Sequence, residues 1–351
     1  MHRLRPILVA LLLVVTACGN GGSGDGSDSD AKTTIALFLP ESKTTRYEAF
    51  DRPLFEAKVK KLCADCEVLY ANADQDAAKQ QSQVESALTQ GADVLVLDAV
   101  DAAAAAPLVN QAKQRNVPVI AYDRLISDIS YSYYVSFDNV RVGEVQGKAL
   151  LDEITRRGGT GQVVMINGSP TDPSSADYKK GAHQALDGKI TIGREFDTPD
   201  WSPDKAQQEM EQAITSLGRD TIVGVYSAND GMASGAVAAM KRAGYPTLPP
   251  ITGQDAELAA VQRILTGEQT MTVYLDIRAQ AEKSAELAVA LSKHEKPAAP
   301  RKVGDIPAFL LDPIAVGKDT IKDTIVKDGF YTVDQICTPE VAAACAEAGL
   351  T

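Results

Sequence analysis

The sequence predicts an α/β fold of two successive lobes, each a parallel sheet covered by helices. Three observations carry that prediction. Apolar stretches of strand length alternate with helix-spaced apolar residues along most of the chain. Several strands, residues 93–97 (DVLVL) above all, have no polar face, as in a parallel sheet buried on both sides. The rhythm also runs twice, first to about residue 137 and then to residue 275, which suits two domains of ordinary size.

The first lobe opens with residues 33–40 (TTIALFLP), a buried-strand pattern. Residues 47–62 set Phe50, Leu54, Phe55, Val59 and Leu62 at helical spacing. A strand at 67–73 precedes a helix at 76–90, which buries Ala77, Val84, Ala87 and Leu88 and stops at Gly91. Strand 93–97, helix 102–115, strand 117–122 and a short strand 133–137 complete the lobe. The second lobe begins with helix 140–156, stopped by Gly158 and Gly159, and strand 162–167 (QVVMIN). Helix 177–186 and strand 190–196 come next. Helix 203–217 has Ser202 as its N-cap and Pro203 at its first position. Strand 221–226, helix 231–243, a short strand 250–253, helix 257–265 and an extended stretch 270–275 (TMTVYL) follow. The tail holds an Ala-rich helix 278–293, a Pro/Ala stretch 297–300, a strand 306–311 and a helix 318–327. A helix at 339–348, capped by Thr338, closes the chain. Helix 278–293 has no strand beside it, which fits a chain that crosses back to cover the first lobe.

Residues 1–17 read as an export signal: Arg3 and Arg5 form a basic head and Ile7 opens an apolar run too short to span a bilayer. Small residues precede Cys18, as at a bacterial lipidation site, so Cys18 is expected to carry lipid and residues 18–32 to form a flexible tether. The formal charge is −12, and removing the signal takes away Arg3 and Arg5 and no acid, giving −14. An acidic chain does not suit nucleic acid. Three His, one of them in the signal, leave little for a His-based triad or metal site, and neither metal nor cofactor is expected. Of five Cys, four remain after Cys18. They allow three pairings, and the local one, Cys63 with Cys66 and Cys337 with Cys345, is expected in an exported protein. A redox role for Cys63 and Cys66 needs a helix N-terminus, whereas the pair follows a helix and precedes a strand.

The polar candidates fall where strands end. They are Arg46 after the first strand, Asp123 and Arg124 after the fourth, and Asp138 and Asn139 at the passage between lobes. In the second lobe they are Asp172, Asn229, Asp230, Gln254 and Asp255, with Tyr47 and Trp201 in matching loops. Open α/β sheets build ligand sites at the carboxyl ends of their strands. Carboxylates and guanidinium groups hydrogen-bond adjacent hydroxyls, and flat aromatics take the C–H faces of a sugar. No Gly-rich phosphate loop, G-x-S-x-G or HExxH pattern occurs.

Several stretches together resemble the periplasmic sugar-binding proteins of ABC importers, within them the xylose-binding and multiple-sugar-binding group. They are AYDRLI from Ala121, SFDNVRVGEVQGKAL from Ser136, GSPTD from Gly168, SANDG from Ser227, TGQDAEL from Thr252, TMTVY from Thr270 and IKDTIVKDGF from Ile321. The likeness spans about residues 33–330. It implies the type I periplasmic binding protein fold: two Rossmann-like lobes, 33–137 with 276–304 and 138–275 with 305–351, joined by three hinge crossings. It implies a non-enzymatic role, with a sugar held in the cleft, delivery to ABC permease membrane subunits, a chemoreceptor as a further partner in some members, and a monomer. The implied contacts are Arg46, Asp123, Arg124, Asn139, Asp172, Trp201, Asn229 and Asp255, with Tyr47 as the family's aromatic beside Arg46. Two departures bear on the ligand. Leu275 stands where the xylose group has a sugar-contacting Lys, and Pro173-Ser174 replaces a polar pair after Asp172. Both remove donors, so a related aldose, a deoxy-sugar, a polyol or a furanose competes with xylose. An amino-acid binder and an exported carbohydrate enzyme are the remaining alternatives.

Overall fold

A computed structural model of the chain describes residues 32–350. The expected signal, lipidated Cys18 and nearly all of the tether lie outside the described residues. The first five strands are β1 (Thr34–Leu39), β2 (Glu67–Asn72), β3 (Val94–Leu97), β4 (Val119–Tyr122) and β5 (Tyr133–Phe137). With them come α1 (Arg52–Leu62), α2 (Ala77–Thr89) and α3 (Ala106–Gln114). The middle of the chain forms α4 (Asn139–Arg156), β6 (Gln162–Asn167), α5 (Pro173–Leu186), β7 (Thr191–Asp197) and α6 (Pro203–Leu217). It continues through β8 (Ile222–Ser227), α7 (Asp230–Arg242), α8 (Leu258–Thr266) and β9 (Thr272–Tyr274). The last part holds α9 (Ile277–Ser292), β10 (Arg301–Val303), β11 (Ile306–Leu311), β12 (Ile314–Val316), α10 (Val333–Ile336) and α11 (Ala342–Glu347).

The first sheet has seven strands in the order β10-β11-β5-β4-β3-β1-β2, parallel throughout except for β10. Strand alternation feeds two layers. Ile35, Leu37 and Leu39 pack with α1 and α9, and Ala36 and Phe38 pack with α2 and α3. The second lobe centres on β7-β6-β8, also parallel. Ile251 bridges to Val225 of β8, Gln254 bridges to Val273 of β9, and β9 pairs antiparallel with β12. The chain passes between the sheets after β5, after β9 and after β11.

Some expectations need correction. The return to the second lobe at residue 305 falls later, because β11 pairs in parallel with β5 and so belongs to the first sheet. The strand at 250–253 shrinks to the single bridge at Ile251, since Pro249 and Pro250 lack the N–H a ladder needs. The helix at 318–327 is a 3-10 turn, Lys318–Thr320, followed by a π turn, Lys322–Val326. Residues 47–51 likewise form a π turn ahead of α1.

Both local disulfides are present, Cys63–Cys66 and Cys337–Cys345. The second pins α11 to the segment after α10. Cross-linking residues 8 apart removes about 2.5 kcal/mol of chain entropy from the unfolded state. Replacing both Cys337 and Cys345 by Ser should therefore lower unfolding stability by about that amount in urea titrations, with no effect on the cleft.

Candidate functional site

Arg46 stands at the start of the π turn, where residues five apart share a face. Asp51 thus meets it in a fork: Nε donates to Oδ2 at 3.0 Å and Nη2 to Oδ1 at 2.8 Å. Nη1 reaches Asp123 Oδ1 at 3.2 Å, and the Tyr47 hydroxyl donates to Asp123 Oδ2 at 3.4 Å. The Tyr122 hydroxyl also donates to Asp51. Burial opposes the charge on Arg46, but Asp123 and Asp51 outweigh it and hold the guanidinium firmly protonated.

Arg124, the next residue after Asp123, is pinned by a 3.1 Å bond from Nη1 to the Ala99 carbonyl. Its Nε lies 3.0 Å from Asp172 Oδ2 in the other lobe and 3.5 Å from Asp98 Oδ1 at the end of β3. Neither approach is aligned as a hydrogen bond, and among the described residues both Asp98 oxygens lack a hydrogen-bond partner. Burial pushes the Asp98 carboxyl well above the usual carboxylate range, with Arg124 acting the other way. Asp172 is raised by burial too, again opposed by Arg124.

Asp172 caps α5 by accepting from the Ser174 amide at 2.8 Å, and its other oxygen accepts from the Trp201 indole at 3.2 Å. Trp201 follows Asp200, and both hold left-handed backbone (φ 52 and 60). Such strain is retained where the surroundings fix a functional side chain. The ring lies over Gly168, where an added Cβ would come within 2.0 Å of an indole carbon. Gly168→Ala should therefore tilt the indole and weaken ligand binding at least tenfold while the fold persists. Calorimetry paired with the fluorescence of this single Trp checks it.

Asn229 caps α7, its Oδ1 taken by the Met232 amide at 2.9 Å, which leaves the amide N–H₂ as its donor. Asp255 sits at φ 91, followed by Ala256 at φ 49. Its one side-chain partner among the described residues is Gln254, at 3.3 Å. Burial pushes its carboxyl up to about 7, with Arg46 acting against the shift.

These groups line one small cleft between the lobes. The first lobe supplies Thr44, Arg46, Tyr47, Asp123 and Arg124. The second supplies Asp172, Tyr178, Trp201, Asn229, Gln254 and Asp255. Eight of the ten residues expected to touch ligand thus line one space. The other two lie outside it. Asn139 opens α4; its N–H₂ donates to Ser174 Oγ at 3.2 Å and the Tyr134 hydroxyl at 3.5 Å, while its Oδ1 has no partner among the described residues. Leu275 is fully buried in the second-lobe core, where an apolar side chain belongs. Sequence reasoning misses Thr44, Tyr178, Asp51 and Asp98. Asp98 is within its reach, since it ends a parallel strand as Asp123 does, whereas Tyr178 sits inside a helix and gives no signal.

The cleft has carboxylates, guanidinium groups, amides and aromatic faces. No group of three His, Cys, Asp or Glu among the described residues is arranged to hold a metal. The arrangement can hold hydroxyls by paired hydrogen bonds.

Known proteins resemble this chain over most of its length. Residues 35–296 match the model of the "Periplasmic binding protein domain" family. The chain is 37% identical over 311 residues to the D-xylose-binding periplasmic protein of Haemophilus influenzae, covering 86% of this chain and 91% of that one. It is 31% identical over 331 residues to a multiple sugar-binding periplasmic protein of Azospirillum brasilense, covering 87% and 91%. A solute-binding protein of an ABC transporter from Clostridium phytofermentans, solved with bound β-D-glucose, superimposes with a TM-score of 0.79 at 27% identity, covering 87% of this chain and all of that one. These relatives are binding proteins by name and not enzymes.

Proposed function

The chain belongs to the periplasmic binding protein domain family, and from that premise we propose that it captures a neutral monosaccharide between its lobes and delivers it to an ABC permease. A xylose-like pentose or a related aldose is the class favoured. The observation that carries this reading is the convergence of Arg46, Tyr47, Asp123 and Arg124 from one lobe and Asp172, Trp201, Asn229 and Asp255 from the other on one small cavity. The names of the sugar-binding relatives support it. Anchorage through lipid on Cys18 rests on the N-terminal sequence. Leu275 supplies no donor where the xylose group has Lys, which favours a deoxy-sugar or polyol as the second reading.

The charge of the cavity sets a further limit. Asp51 and Asp123 share Arg46, Asp98 and Asp172 share Arg124, and Asp255 has neither. A ligand carboxylate would find no free cation there and would face buried like charge. Thermal shift over neutral pentoses, hexoses and polyols tests the reading. At a hundred times Kd the bound state gains about 2.7 kcal/mol, roughly 4 °C for a protein of this size. Uronic acids and amino acids should give no shift at millimolar concentration. A shift with an amino acid and none with any neutral sugar or polyol would refute the proposal.

A further inference from the structure

Gln280 is the fourth residue of α9 and is fully buried. Its side-chain amide makes three hydrogen bonds. Oε1 accepts from Arg46 Nη2 at 2.6 Å, and Nε2 donates to Asp123 Oδ1 at 2.9 Å and to the Val135 carbonyl at 3.3 Å. Arg46 and Asp123 line the cavity. Val135 lies in β5, two residues before the strand ends and the chain first leaves the lobe. Helix α9 itself starts where the chain returns, just after β9. One planar group therefore grips both a guanidinium and a carboxylate of the site and ties them to β5 and α9, the elements next to two of the passages between the lobes.

The chemistry demands an amide of this length. The guanidinium needs an acceptor and the carboxylate needs a donor, side by side. Glu offers only acceptors, Lys only donors, and an apolar side chain neither. The group is also out of the ligand's reach, since it lies behind Arg46 and Asp123 and does not line the cavity.

We infer that Gln280 is a positioning residue: it fixes Arg46 against Asp123 and links their orientation to the joining segments, so that a ligand held by the pair favours the closed lobes. The inference rests on the ligand reading above. Gln280→Met keeps length and burial and removes all three bonds, whereas Gln280→Glu keeps the acceptor and removes the donor. Ser284→Ala, one turn on in the same helix, serves as the control; among the described residues its hydroxyl bonds only the Gln280 carbonyl.

Each variant is titrated with the neutral sugar or polyol that most stabilises the wild type, by calorimetry and by stopped-flow fluorescence of Trp201. Small-angle scattering then follows lobe closure. Gln280→Met and Gln280→Glu should weaken Kd thirtyfold or more, chiefly through faster release, and stay more open than the wild type at saturation. Ser284→Ala should stay within threefold on both counts. Wild-type affinity and closure in a folded Gln280→Met would overturn the inference and leave the proposed function standing. Should Gln280→Met not fold, wild-type affinity in Gln280→Glu would overturn it equally. A wild type that responds to no neutral sugar or polyol would overturn the proposed function and the inference together.

Discussion

Asp255→Ala abolishes ligand-induced stabilisation and leaves the empty protein at least as stable as the wild type, more stable above pH 7. The carboxylate is buried and, among the described residues, has only the neighbouring Gln254 amide as a side-chain partner. It thus costs the empty protein stability that only a ligand hydroxyl restores. The sign follows from linkage. A carboxyl titrating near 7 in the folded protein and near 3.9 when unfolded binds its proton more tightly in the folded state. Unfolding stability therefore falls as pH rises from about 4 to about 7, and the cost is complete above 7. That difference corresponds to about 4 kcal/mol, an upper figure because water and relaxation soften buried charges. Urea titrations at intervals from pH 4 to pH 8 should show the wild type losing ground to Asp255→Ala up to neutrality and no further. Parallel pH profiles would refute the assignment of that cost to Asp255.

Arg124→Ala should lose both binding and stability. Its guanidinium lies between Asp98 and Asp172, and it is the only cation within 4.0 Å of either among the described residues. Breaking a buried ion pair by removing one partner costs about 3–5 kcal/mol. Both carboxyls are already raised by burial, with Arg124 working against that shift. Without it they rise further, so the penalty is larger at pH 8 than at pH 5. Thermal melts at the two pH values check this, together with the sugar titration. A variant as stable as the wild type at pH 8 would contradict the pairing. The contrast with Asp255 is the informative part: two residues of one site, one costing the fold and the other completing it.

Much of this is legible in the chain. The apolar strands around DVLVL and QVVMIN point to a parallel architecture, and ligand groups at strand ends follow from that architecture. Arg46, Asp123, Arg124, Asp172, Trp201, Asn229 and Asp255 can be named on that basis. What is not legible depends on partners rather than patterns. The sequence of β11 reads as a strand, but nothing in it says that its neighbour is β5. Asn139 has the right residue type at the right place, yet its N–H₂ turns to Ser174 and Tyr134, contacts no pattern in the sequence announces. Gln280 sits near the start of an Ala-rich helix, where a polar residue ordinarily means solvent. Its role emerges only when α9 lies across the first lobe. The π turn at 47–51 is hidden too, since helical spacing does not distinguish it from the start of α1.

The most direct test is a crystal structure grown with the neutral sugar or polyol that gives the largest thermal shift. The ligand should lie between the lobes, taking hydrogen bonds from Arg46 and Asn229 and giving them to Asp123 and Asp255, with a ring face on Trp201. A ligand bound elsewhere with this cavity empty, for instance in the groove of the first lobe beside Lys113 and Tyr131, would contradict the account.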